Sequence, residues 1–163
     1  YMNAGMFKEA EASISKAIEI YPENYSAHSL MGELWFVQKQ PDKALVYLDK
    51  ALFYKRNVTQ AYFYAGQCMM QKSNFAKAAE YFEGGIANNG NVPQMYEGLG
   101  LAYLNMASYS LAETAFSSAL AINPNYAPAY YYLSQVFQRT NQQDKAQECV
   151  RRYEALASGQ PIQ

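Results

Sequence analysis

His28 is the only histidine in the chain, and Cys68 and Cys149 are its only cysteines. These residue types serve as general bases, nucleophiles and metal ligands, so their spacing decides whether catalysis is on offer. A lone histidine brings no partner for acid–base work. Two cysteines and one histidine at these separations make neither a zinc motif nor a disulfide framework. Gly32, Gly66 and Gly100 recur at a fixed spacing and form no phosphate-cradling loop. The chemistry left is recognition. Among 16 tyrosines, two clusters stand out, Tyr62-Phe63-Tyr64 and Tyr130-Tyr131-Tyr132. Adjacent residues on a helix point about 100° apart, so three consecutive rings cannot share one role.

The elements that carry these rings follow from composition and periodicity. The chain has 163 residues, half of them hydrophobic, enough for a sizeable core and too many for wholesale disorder. Its net charge is −1, from 13 basic and 14 acidic residues, and the densest basic cluster is Arg151-Arg152, which argues against nucleic acid as a partner. Apolar stretches are too short and too interrupted to span a bilayer, so no direct membrane insertion is expected. The chain starts at "YMNAG", with no signal peptide in view, and a longer natural protein with further structure before Tyr1 is expected. Free thiols favour a cytoplasmic setting slightly, and a bacterial periplasmic one stays open.

Sliding the sequence against itself by 34 residues aligns Ala10, Ala44, Ala78, Ala112 and Ala146. Four residues on stand Ile14, Leu48, Phe82, Phe116 and Val150; seven on stand Ala17, Ala51, Gly85, Ala119 and Tyr153. Twelve before the later alanines lie Gly32, Gly66, Gly100 and Ser134. Each unit carries two amphipathic segments, such as Tyr96, Leu99, Gly100 and Tyr103, then Ala112, Phe116, Ala119 and Leu120. The turns between them are short, "KQPD", "KSNF", "MASY" and "NQQD". Asn24, Asn57, Asn91 and Asn125 precede the first helices, where they are expected to cap.

At these columns the chain resembles the tetratricopeptide repeat (TPR) family. That family places a large residue at position 4 of each unit, small ones at 8, 20 and 27, a large apolar one at 24 and often proline at 32. Here position 4 is His28, Tyr62, Tyr96 and Tyr130, while position 32 is Pro22 and Pro124 in two units and Arg56 and Gly90 in two others. The resemblance runs from Tyr1 to about Ala157. It implies an all-α, right-handed superhelical solenoid of antiparallel helix pairs. The expected organisation is a single array over 1–157: a partial first repeat 1–24, repeats 25–58, 59–92, 93–126 and 127–157, and a tail 158–163. Tyr153 in a small-residue column and the polar last helix mark the closing repeat.

The resemblance also implies a partner groove, lined by the face of each first (A) helix that lies opposite its buried stripe. Position 5 supplies Ser29, Phe63, Glu97 and Tyr131; position 6 supplies Leu30, Tyr64, Gly98 and Tyr132. Positions 9, 12 and 13 add Glu33, Gln67, Leu101 and Gln135, then Phe36, Met70, Leu104 and Gln138, then Val37, Gln71, Asn105 and Arg139. Of the tyrosine triple, Tyr130 is read as core filling, while Tyr131 and Tyr132 face the groove. Gly98, between Phe63/Tyr64 and Tyr131/Tyr132, suggests a notch for a partner's side chain. The same rings could instead pack on neighbouring A helices or on a preceding segment, and the amides could be plain solvated surface. The carboxylate clamp of chaperone-binding members is not matched by Ser29, Glu33, Tyr64, Gln94 and Gly98 or by the next window, which argues against an acidic chaperone tail.

The expected function is a non-catalytic protein–protein interaction scaffold that binds an apolar or amphipathic peptide or helix of a partner, with no cofactor or metal. Two alternatives are a targeting or regulatory arm of a larger enzyme, and an assembly component that self-associates through its N-terminal edge.

Overall fold

A computed structural model of the chain describes residues 4–88 and 91–159. Among these residues the regular structure is helical throughout, as the 3.6-residue stripes require. It groups into two compact units, Tyr1–Gly90 and Asn91–Gln163. The first holds α1 (Ala4–Ile20), α2 (Tyr25–Val37), α3 (Pro41–Tyr54), α4 (Thr59–Gln71) and α5 (Phe75–Ala87). The second holds α6 (Pro93–Asn105), α7 (Tyr109–Ile122), α8 (Ala127–Arg139) and α9 (Gln143–Ser158). The A helices start at Tyr25, Thr59, Pro93 and Ala127, and the B helices at Pro41, Phe75, Tyr109 and Gln143, each in steps of 34 residues.

Within the first unit α2 pairs with α3 and α4 with α5; α1 lies on α2, α3 on α4, and the A helices α2 and α4 touch. Within the second, α6 pairs with α7 and α8 with α9, α7 lies on α8, and α6 touches α8. The repeating columns form the cores. Ala44, Leu48, Ala51, Ala78, Phe82, Ala112, Phe116 and Ala119 are fully buried. The glycines opposite them set how closely the paired helices approach. A Cβ on Gly66 would lie 2.7 Å from the Phe82 ring, and one on Gly100 would lie 2.6 Å from Phe116. Such contacts are far inside van der Waals distance, so the columns at 8 and 24 are complementary partners.

The tight A-to-B turns depend on a backbone feature that side-chain periodicity does not reveal. Lys39, Ser73, Ala107 and Asn141, again 34 apart, all take left-handed backbone conformations, with φ of 59°, 56°, 56° and 58°. Each closes a Schellman motif. In the first turn the Lys39 amide bonds Phe36 O at 2.9 Å and the Gln40 amide bonds Trp35 O at 3.0 Å. A side chain at positive φ costs about 1 kcal/mol, which glycine avoids. Exposed Ala107 loses no packing on truncation, so Ala107→Gly is expected to stabilise the second unit by about 0.5–1 kcal/mol, read as a raised urea midpoint.

The expected asparagine caps hold at only one of four places. The Asn24 side chain accepts from the Ala27 amide at 3.0 Å. Asn57, Asn91 and Asn125 lie two residues before their helices, so the cap positions fall on Val58, Val92 and Tyr126, none with a side-chain cap bond. Asn91 instead accepts from the Tyr96 hydroxyl at 3.1 Å. An unforeseen cap is Asn74, which accepts from the Lys77 amide at 3.3 Å at the start of α5. The column readings of Tyr1 and Gly90, and the tail from residue 160, lie outside the described residues.

Candidate protein-interaction surface

The residue types that could do covalent chemistry are placed by packing. His28, at position 4 of α2, is buried, its ring stacked on Tyr54 and Tyr47 at centroid distances of 5.5 and 6.1 Å. Its Nε2–H donates to Pro22 O at 2.8 Å. Tyr130, in the same column, donates to Pro124 O at 3.2 Å. Position 4 thus ties the A helix to the loop before it. Cys68 is fully buried, and burial, then Asp42, pushes its thiol up to about 12. Burial also raises the Cys149 thiol. Neither is the electropositive, exposed thiol that reacts. Among the described residues no group of three histidine, cysteine, aspartate or glutamate side chains could hold a metal, and no helix is long and apolar enough to cross a membrane.

In the first unit the side of α2 and α4 that holds the groove columns carries a continuous aromatic contact at the edge of the core. Phe36 meets Tyr64 at 5.3 Å, and Tyr64 meets Phe63 edge-on at 5.5 Å. All three are half-buried. Phe63 also reaches the buried Phe82 ring at 6.3 Å, so it serves core and face at once. Gln67 and Met70 are half-buried on α4, and Gln71 is exposed. Ser29, expected on the groove, is buried instead. Glu33 organises the surface. Its Oε1 accepts from the Tyr64 hydroxyl at 2.6 Å and its Oε2 from the Gln60 amide at 2.6 Å.

In the second unit the tyrosine triple divides three ways. Tyr130 packs against the core, and its hydroxyl reaches the preceding loop. Tyr132 stacks on buried Phe116 at 5.4 Å and is half-buried. Tyr131 is 46% exposed, edge-on to Tyr132 at 5.1 Å and beside Tyr153 at 5.5 Å. Leu101 packs on the core, Gln135 is half-buried, and the exposed Asn105 turns its amide back to Leu101 O at 2.8 Å. Gly98 is itself buried. The Tyr126 hydroxyl donates to the Glu97 carboxylate.

Sequence reasoning missed the two tyrosine–glutamate bonds and the part of Tyr153. The Glu33–Tyr64 bond had a signal, since positions 9 and 6 of successive A helices are neighbours in register. Tyr126 sits in a loop column that helical periodicity does not reach.

These bonds leave a titration signature. Burial first, then the hydrogen bond to Glu33, pushes the Tyr64 phenol up to about 12. Burial also raises Tyr81 and Tyr126, which donate to Asp49 and Glu97. An unfolded phenol ionises near 10. Above that pH the unfolded chain releases protons that the folded one keeps, so the tyrosine contribution to stability is complete below about pH 10 and is lost towards pH 12. Thermal midpoints measured from pH 9 to 12 are expected to fall across this window, less steeply in Tyr64→Phe.

Comparison with known proteins agrees with this architecture. Family profiles described as tetratricopeptide repeat match residues 1–67, 93–126 and 115–148. No curated protein matches the sequence. Among solved structures, MamA superposes with a TM-score of 0.89 at 20% identity, over 98% of this chain and 97% of that one. PilW, described as a widely conserved type IV pilus biogenesis factor, gives 0.84 at 23% identity over 100% and 74%. PilF of Pseudomonas aeruginosa gives 0.81 at 20% identity over 98% and 71%. These identities carry the fold alone, an all-α helical-repeat solenoid. With its three profile matches and its 34-residue helix pairs, the chain belongs to the tetratricopeptide repeat family.

Proposed function

We propose that the chain is a non-catalytic protein-interaction scaffold, holding an apolar or amphipathic peptide or helix of a partner on the groove-side faces of its A helices. The observation that carries this reading is the set of rings on those faces, Phe36, Phe63 and Tyr64 in one unit and Tyr131 and Tyr132 in the other. They are ordered by contacts with one another while keeping part of each ring open. Ordered, part-exposed aromatic clusters are the usual anchors of protein interfaces, because a large area is buried at little entropic cost. Repeat solenoids of this kind present such surfaces to partners. Few charges lie on these faces, so the energy comes from apolar burial and from amide contacts made by Gln67, Gln71 and Gln135.

Tyr64→Ala and Tyr131→Ala test the reading, separately and together. Each ring rests on neighbours at the edge of its core rather than inside it, so helicity is expected to survive. Capture of the partner in a pull-down is expected to weaken by about 2 kcal/mol per ring, roughly thirtyfold in affinity. Unchanged capture by the folded double variant rejects the groove-side site.

A further inference from the structure

Among the described residues Glu33 is a carboxylate without a counter-ion, on an otherwise apolar and amide-rich face. The groove-side positions of α2 are Ser26, Ser29, Leu30, Glu33, Phe36 and Val37, and those of α4 are Gln60, Phe63, Tyr64, Gln67, Met70 and Gln71. No lysine or arginine is among them. Among the described residues Glu33 makes no ion pair, and its two partners, the Tyr64 hydroxyl and the Gln60 amide, are neutral donors. A carboxylate offers about four acceptor sites, and two neutral bonds leave about two open. Those bonds fix its direction. The Tyr64 ring, whose hydroxyl touches the carboxylate, continues into Phe36 and Phe63. A fixed negative charge at the end of a row of aromatic rings is an environment that favours a cation: charge-assisted hydrogen bonds at one end, aromatic and apolar contact along the stem.

We infer that the first unit's groove-side face recognises a partner segment in which a lysine or arginine stands next to apolar residues, the cation pairing with Glu33 and the apolar neighbours lying on Phe36, Tyr64 and Phe63. This deepens the proposed function and rests on it: the rings supply the burial and Glu33 supplies the selection. An acidic segment is rejected, because it would place like charge against a fixed carboxylate. The polarity is the reverse of a surface built from lysines to hold a carboxylate tail. With a single pair, salt dependence stays shallow.

The test is a random twelve-residue peptide display library panned on the folded whole chain, wild type and Glu33→Gln in parallel. Glutamine keeps the volume and can still accept from Tyr64, and unchanged far-UV circular dichroism verifies that the variant is folded. The wild type is expected to select peptides with lysine or arginine beside leucine, isoleucine or phenylalanine, and Glu33→Gln to select the apolar part without the basic one. A selected peptide resynthesised with lysine replaced by glutamine, which needs no protein variant, is expected to bind about tenfold more weakly. That loss should vanish on Glu33→Gln, since both changes remove the same contact.

Apolar peptides without basic enrichment, still sensitive to Tyr64→Ala, overturn the charge inference and leave the groove reading standing. No selected peptide, or peptides indifferent to Tyr64→Ala, overturns both. Self-association of the wild type in sedimentation that Glu33→Gln abolishes assigns the face to a second copy and overturns the inference.

Discussion

Phe116→Ala is expected to cost the second unit about 3–5 kcal/mol, the largest effect of any single truncation here. Phe116 is fully buried, its ring stacked on Tyr132 and set in a cluster with Ala112, Ala119, Ala129 and Leu133. Its neighbours on α6, α7 and α8 are fixed by helix pairing and cannot close over the space, so the transfer loss and the cavity both count. Because Tyr132 stands on this ring, the groove-side face of α8 should loosen as well. Urea unfolding followed by circular dichroism reads the stability change; a midpoint within the error of the wild type would show that the position-24 column does not anchor the unit.

Gly100→Ser is expected to destabilise the same unit by about 1–3 kcal/mol, and Phe116→Val to relieve most of that added cost. A Cβ on Gly100 would stand 2.6, 2.7 and 2.8 Å from three atoms of the Phe116 ring, which is sealed on all sides and has nowhere to go. The helix-propensity gain over glycine, about 0.5 kcal/mol, is too small to offset this. The chain already contains the alternative pairing. In the last unit the two columns hold Ser134 and Val150, a larger residue at position 8 with a smaller one at 24, and the buried Ser134 hydroxyl donates to Tyr131 O at 2.7 Å. The Gly100→Ser/Phe116→Val cycle should therefore show a coupling of about 1–3 kcal/mol, whereas additive effects would mean that the two columns do not meet in the way the repeat requires.

The same two columns explain why so much of the fold was legible. A small residue opposite a large one, repeated every 34 residues, is a packing rule written in side-chain volume, and volume is visible in a sequence. The helix starts, the buried alanines and the core role of Tyr130 all follow from it. Backbone geometry is less visible. Lys39, Ser73, Ala107 and Asn141 share a left-handed conformation although only asparagine among them favours it, because the antiparallel return of the B helix over-determines the turn. The caps failed for a related reason: asparagine two residues ahead of a helix is too far back to reach its free amides.

The candidate surface was legible as a face but not as a network. Register placed Phe36, Phe63 and Tyr64 on one side, yet helical spacing within a single segment says nothing of bonds between segments. The Glu97–Tyr126 pair was therefore out of reach, and the Glu33–Tyr64 pair shows only when the columns of successive A helices are set side by side. Ser29 and Gly98 are buried although their columns predicted a groove, since a residue with little or no side chain is covered by its bulkier neighbours on either side of the helix.

An amide-shift map of the isotope-labelled chain, titrated with a peptide selected on it, locates the binding surface most directly. The largest shifts are expected along the groove-side positions, at Leu30, Glu33, Tyr64 and Gln67 in the first unit or Tyr131 and Gln135 in the second. Shifts gathered instead on the outward faces of the B helices, around the exposed Val46 or Leu111, would contradict the groove-side site.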